Sequence, residues 1–213
     1  MATFTSRISD LIDTPYTALS GKDGVLTSAV SEIADMVSPL LLLKYAVNPL
    51  DLDGTTVQHA IEGKKVLLVT RNDGSIDRES KEITISQFAQ AQDAASIYLA
   101  TAFSPVHCLI TDAGTTTLKI FPLTTASGGK IYYFEYPLPT VNLYEDESIT
   151  GFPRELEHSV VLRTSIKLLQ AYVGDAVQQD EDAELQQQIN AQITGLQSEF
   201  KDEIGRFIQG GPE

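Results

Sequence analysis

Residues 185–207, LQQQINAQITGLQSEFKDEIGRF, decide how the chain is read. Leu185, Ile189, Ile193, Leu196, Phe200, Ile204 and Phe207 recur at spacings of four, four, three, four, four and three. That period holds seven apolar side chains on one face, so the spacing predicts a long amphipathic helix starting from Asp180. A second helical stretch lies upstream. Pro153 suits a first helical turn, Glu155 and Glu157 complement the helix dipole, and Val161, Ser165, Leu168, Leu169 and Tyr172 share a broadly apolar face. Leu156, Val160, Arg163, Lys167 and Gln170 mark another face, and Gly174-Asp175 is expected to weaken the helix locally.

The first quarter shows the same period. Phe4, Ile8, Leu11 and Ile12 share a face that Pro15 ends. Leu26, Val30, Ile33 and Val37 share the next, and Ser38-Pro39 restarts a short helix over Pro39–Leu43. Lys44–Val47 reads as extended and Asn48-Pro49 as a turn. In the middle the period changes. Lys64–Arg71 is β-prone and ends at the turn signal Asn72-Asp73-Gly74. Ser86–Ala95 offers one or two helical turns. Val106–Thr111, Thr115–Phe121 and Lys130–Tyr136 then read as three strands of a small antiparallel meander, the first two joined through Gly114. Ile131-Tyr132-Tyr133-Phe134, apolar on both faces, reads as a central strand or one covered by a neighbouring subunit.

The expectation is an α+β protein: a helical bundle from the N- and C-terminal thirds with an inserted antiparallel β module and a long C-terminal helix. Residues 1–59 and 149–213 would form the helical body, and residues 60–148 the β-rich module.

Composition narrows the function. The chain has 213 residues, 42% apolar and 21% charged, which suits a folded protein able to bury its own core. Fifteen Lys and Arg against twenty-nine Asp and Glu give a net charge of −14, too acidic for duplex binding through phosphate neutralisation. Half of that charge falls between Asp175 and Glu203, where eight acids meet one base. Cys108 has no partner for a disulfide, and it reads as a buried strand thiol. The apolar run Leu40–Leu43 is far short of a transmembrane span, and the N-terminus lacks a signal-peptide core; no membrane association is expected.

The search for chemistry finds little. His59, His107 and His158 have no paired metal spacing, and His59 reads as lying in a loop. Asp51-Leu52-Asp53-Gly54 fails the calcium-loop pattern, which requires Gly at its sixth position where Thr56 stands; it reads as an acidic turn. Ser20-Gly21-Lys22 lacks the upstream Gly of a phosphate loop. The expectation is a protein that is not an enzyme, with no metal, cofactor or catalytic residue. A dispersed catalytic site is the alternative, with Glu155 or Asp175 as its acids. Tyr132, Tyr133, Phe134 and Tyr136 serve either a sheet core or a subunit interface. Phe200, Ile204, Phe207 and Ile208, before Gly210-Gly211-Pro212, form an apolar helix tip that either docks on a partner or packs within the chain.

Four segments carry a resemblance: Pro39–Val47, Val66–Arg71, Ala100–Val106 and, above all, Gly151-Phe152-Pro153-Arg154-Glu155-Leu156-Glu157-His158-Ser159-Val160-Val161-Leu162-Arg163. Together with the helix–β–helix order, they resemble virion structural proteins of tailed bacteriophages, in particular the head-to-tail adaptor (connector, tail-tubular) class. The resemblance implies a ring, commonly of twelve copies, beneath the portal protein. It implies assembly in the host cytoplasm, location in the virion neck, and a tail or nozzle protein below. The ring would line a channel through which DNA passes without specific binding. Asp180, Glu181, Asp182 and Glu184 would face that channel, and an acidic wall would let DNA slide. The helix tip would contact the portal, and the Tyr132–Tyr136 aromatics a neighbouring subunit. Alternatives are another neck, collar or tail-terminator component, or a soluble phage protein that binds a host factor.

Overall fold

The structure, a computed structural model, describes residues 2–12, 22–46, 48–56, 58–112, 114–123, 128–178 and 183–209. In chain order the elements are α1 (Phe4–Ser9), α2 (Lys22–Met36), α3 (Pro39–Leu43), β1 (Leu50–Leu52), β2 (Gln58–Ala60), β3 (Lys64–Asn72), β4 (Asp77–Glu79), β5 (Lys81–Glu82) and α4 (Ile85–Gln92). There follow β6 (Val106–Asp112), β7 (Thr115–Phe121), β8 (Gly129–Glu135), a 3-10 turn at Arg154–Leu156, α5 (Glu157–Gln178) and α6 (Ala183–Gln209). The chain divides into two compact units, Met1–Leu42 with Tyr136–Glu213, and Leu43–Glu135.

The expected helical bundle with a small β module is overturned. The fold is α+β with two four-stranded sheets, ordered β1-β8-β3-β4 and β2-β7-β6-β5, and six α-helices among the described residues. Two physical reasons account for the miss. The strands β1, β2, β4 and β5 are two or three residues long, too short for any alternation to register, yet they form all four sheet edges. The expected meander is also split. β6 pairs antiparallel with β7, but β8 leaves them after the cis Phe121–Pro122 bond and pairs between β1 and β3 in the other sheet. Its apolar character on both faces fits that central place. Lys44 and Tyr45 form a turn rather than an extended segment, and α5 continues past Gly174. Asp51 and His59 stand in strands, not in a turn and a loop.

Inside the β unit, Leu52, Val69 and Ile131 of one sheet bury against Ile61, Leu118 and Ile120. A second cluster joins Phe88 and Ala91 of α4 to Ala100, Val106 and Cys108. Successive strand residues point to opposite faces, so β6 sends Val106 and Cys108 toward α4 and His107 to the other side. Burial raises the Cys108 thiol above its ordinary pKa, which suits a packing role. Thr84 caps α4 in a reciprocal box with Gln87.

Arg71 closes one end of this unit. It is fully buried and hydrogen-bonds only backbone carbonyls: Nε to Pro122 at 3.1 Å, Nη1 to Asp53 at 3.0 Å and Nη2 to Gly54 at 3.2 Å. One guanidinium thus ties the turn after β1 to the end of β7, across the two sheets. Asp53 holds its own turn together by accepting from Thr56 and Thr55, which keeps its carboxyl well below the usual range.

In the helical unit α5 is the central helix, packed against α1, α2 and α6. Leu156, Val160, Val161, Leu162, Ile166, Leu168 and Leu169 are buried on it, and Leu26, Val30 and Ile33 on α2. The N-terminus is anchored where Thr5 N–H donates to the Tyr144 carbonyl at 2.9 Å and Arg7 pairs with buried Glu157 at 3.1 Å.

Candidate functional site

The expected tip of the final helix divides. Ile189, Ile193, Leu196, Phe200 and Ile204 are buried, so the apolar row read from sequence is the seam of α6 against its own unit. Arg163 adds to it, its guanidinium 5.8 Å from the Phe200 ring centre. Phe207 is half-buried and Ile208 exposed. Of the expected channel acids, Glu184 is exposed at the start of α6; Asp180, Glu181 and Asp182 lie outside the described residues. Glu155 is exposed in the 3-10 turn.

The polar residues on α5 have partners that the sequence did not disclose. Arg163 Nε reaches Glu32 of α2 at 2.7 Å, and Lys167 donates to the other Glu32 oxygen and to Ser28 at 2.8 Å. Burial pushes the Glu32 carboxyl up, but the bonds from Lys167 and Arg163 outweigh it and leave it lowered. These charges bind two helices and leave little for chemistry.

The aromatic run is similarly committed. Phe134 is buried, Tyr132 and Tyr133 are half-buried, and the Lys64 ammonium sits 5.1 Å from the Tyr133 ring centre. The Tyr136 hydroxyl donates to Asp35 of α2; burial, that bond and the Asp35 charge all raise its pKa.

Two places in the β unit remain. The first is a cleft of about 400 Å³ beside the β3 bulge at Val66–Leu68, with Ser80, Glu82 and His107 in its wall. His107 Nδ1 meets Ser80 Oγ at 3.1 Å, and both residues are buried. Ser80 sits where the chain steps from one sheet to the other, its N–H donating to the Val69 carbonyl at 2.8 Å while Lys81 N–H donates to Pro105 at 3.0 Å. The pair therefore pins a strand crossing. Desolvation lowers the His107 pKa, partly countered by the Glu82 charge and a Ser80 hydrogen bond. No group of three His, Cys, Asp or Glu side chains among the described residues is placed to hold a metal ion.

The second place is the loop from Asp93 to Pro105. Ile97 is 91% exposed, Phe103 72% and Tyr98 66%, with Leu99 also exposed. Such exposure in a floppy loop would mean little, but this loop is well tied. Ala95 N–H donates to Asp93 Oδ1 at 2.9 Å, Tyr98 N–H to Ser96 Oγ at 3.1 Å, and Ala100 N–H to the Ala91 carbonyl at 3.0 Å. Thr101 and Ser104 exchange backbone bonds, and the Arg78 guanidinium lies 5.1 Å from the Phe103 ring centre. Three large apolar side chains are thus held out to solvent on a rigid support, the arrangement of a prepared contact surface. Sequence reading missed them because Ile97-Tyr98-Leu99 is too short for any period. The available signal was an apolar triplet stranded among Asp, Ala and Ser.

No protein-family model matches the chain, and no curated protein sequence is significantly similar to it. Among the described residues, no helix is long and apolar enough to cross a membrane.

Proposed function

We propose that the chain is a structural component of a tailed-phage virion, a head-to-tail adaptor that joins the portal to the tail as one copy of a ring. Its work is mechanical: it holds two larger assemblies together and walls the passage between them. The observation that carries this reading is the rigid loop presenting Ile97, Tyr98 and Phe103 to solvent, a surface that gains stability only when another protein covers it. The polar groups most suggestive of chemistry, Ser80, His107, Glu32, Arg163 and Lys167, are occupied in holding strands and helices together.

Charge distribution adds support. Residues 43–135 carry eight Lys and Arg against ten Asp and Glu, whereas the remaining residues carry seven against nineteen. The helical unit is therefore the strongly acidic one, which suits a DNA-repelling wall, and the β unit is nearly neutral, which suits protein contacts. The test is mass photometry of the portal ring of the same virus with and without this protein. Binding predicts a fixed increment in the portal mass that saturates at an integral number of copies. A portal peak that does not move at saturating protein rejects the adaptor reading.

A further inference from the structure

The two flanks of α4 differ in a way that suggests how copies meet. On one flank stands the loop with Ile97, Tyr98 and Phe103. On the other, between the helix and strands β6 and β7, lies an open groove of about 210 Å³ lined by Ile85, Phe88, Ala89, Gln92, Ile110 and Lys119. α4 turns about 100° per residue. Phe88 and Ala91 therefore face the sheet, Gln87 and Gln90 face the loop, and Ile85, Ala89 and Gln92 face the groove. The loop cannot fill that groove in its own chain, because the sheet-facing side of the helix lies between them.

We infer that the Ile97–Phe103 loop of one copy inserts into the groove between α4 and β6–β7 of the next copy, making a head-to-tail contact. This deepens the adaptor reading and rests on it for the closure of such contacts into a ring. A knob and a hole on different surfaces of one chain form a heterologous contact, and repetition of that contact either closes a ring or runs on as a filament.

Size and charge favour a second copy as the occupant. Large aromatic and aliphatic side chains each bring about 150–250 Å². Ile97, Tyr98, Leu99 and Phe103 at their observed exposures thus offer on the order of 500 Å², near the lower range of a stable interface per partner. The groove accommodates one such side chain. The knob follows Asp93 and the groove holds Lys119, so opposite charges flank the contact, on a unit whose near-neutrality adds little repulsion.

The test is sedimentation velocity over a loading series of the full chain and two variants. Ile97→Asp with Phe103→Asp removes the knob, and Ala89→Arg fills the hole. All three altered side chains are exposed, so the far-UV spectrum and the unfolding midpoint should stay at wild-type values, which confirms intact folding. The wild-type sedimentation coefficient should rise with concentration. Each variant alone should associate at least about tenfold more weakly, the loss expected when burial of one large apolar side chain is denied. An equimolar mixture of the variants retains one intact knob and one intact hole, so it should form a dimer and stop there. A wild-type chain that stays monomeric overturns the inference. So do variants that associate like wild type, or a mixture that stays monomeric when the wild type does not. None of these outcomes depends on the portal, and failure to bind the portal leaves the knob-and-hole result unchanged, so the two proposals fail separately.

Discussion

Arg71→Met is the sharpest probe of the β unit. Methionine nearly matches the arginine stem but donates nothing, so the carbonyls of Asp53, Gly54 and Pro122 lose their hydrogen bonds together. A hydrogen bond to a charged group contributes about 1.5–3 kcal/mol, and three would sum to more than 5 kcal/mol if independent. Against this stands the cost of keeping the guanidinium out of water, which the substitution relieves. That cost is visible as the burial-driven lowering of the Arg71 pKa, only partly countered by the Asp53 charge. The balance is a loss of about 3 kcal/mol, a large share of the 5–15 kcal/mol that holds a typical domain. The chain lacks tryptophan and has two units, so one optical transition would blur the answer. Native-state hydrogen exchange read by mass spectrometry localises it. Amides of β3, β7 and β8 should open about a hundredfold faster, since each 1.4 kcal/mol is a factor of ten. Arg71→Lys, one point charge in place of a fork, should fall between. Exchange in those strands within about threefold of wild type would refute the clamp.

Four further outcomes follow from other contacts. A Cβ on Gly129 would lie 2.1 Å from the Thr70 carbonyl oxygen, so Gly129→Ala should separate β8 from β3 and cost at least about 2 kcal/mol in urea denaturation; a neutral effect would place β8 elsewhere. Glu32→Gln should weaken the α2–α5 contact by about 1 kcal/mol, a modest figure because the side chain is one-third exposed. Its folded carboxyl is lowered from 4.5, so that stabilisation is present above pH 4.5 and fades as the pH falls through the folded value; in the variant this acid-limb contribution should vanish. His107 is lowered from 6.5, and an imidazole that resists protonation when folded costs stability as the pH drops below 6.5; His107→Gln should flatten the urea midpoint between about pH 5 and 7, and an unchanged slope there would remove His107 from the balance. The Thr164 hydroxyl is buried on α5 without a hydrogen-bond partner, so Thr164→Val should raise the melting midpoint, by about 1 kcal/mol in stability.

The legible parts of this chain were those written in long periods. The α6 row and the Leu26–Val37 face are visible because a helix repeats its apolar side over many turns, and each of their members among the described core is buried as that period requires. The sheets were half legible. β3, β6, β7 and β8 show seven or more residues of β-prone sequence, but their partners β1, β2, β4 and β5 are defined by what they pair with, and pairing is not a local property. The switch of β8 to the other sheet left no trace in its residues. Tyr132 and Tyr133 would look the same in a meander with β7 as they do beside β3. Arg71 was read only as the end of a β-prone run, although it organises one end of the unit, because its acceptors are main-chain atoms distant in sequence.

The candidate surface shows why aromatic content alone misdirects a search for interfaces. The conspicuous cluster, Tyr132 to Tyr136, is conspicuous because strands concentrate β-prone aromatics, and a strand at the centre of a sheet spends them on its own neighbours. A contact surface needs the opposite: few apolar residues, left over after the core is satisfied, on a support rigid enough that binding loses little entropy. Ile97, Tyr98 and Phe103 meet that description, and the concentration of negative charge outside residues 43–135 gives it a consequence in salt. Copies joined through the β unit would feel mainly the mutual repulsion of their acidic helical units, which added salt screens. Self-association should therefore strengthen from low to moderate ionic strength. An interface held by the Asp93–Lys119 attraction instead of the apolar knob would weaken over the same range, so the sign of the salt dependence separates the two.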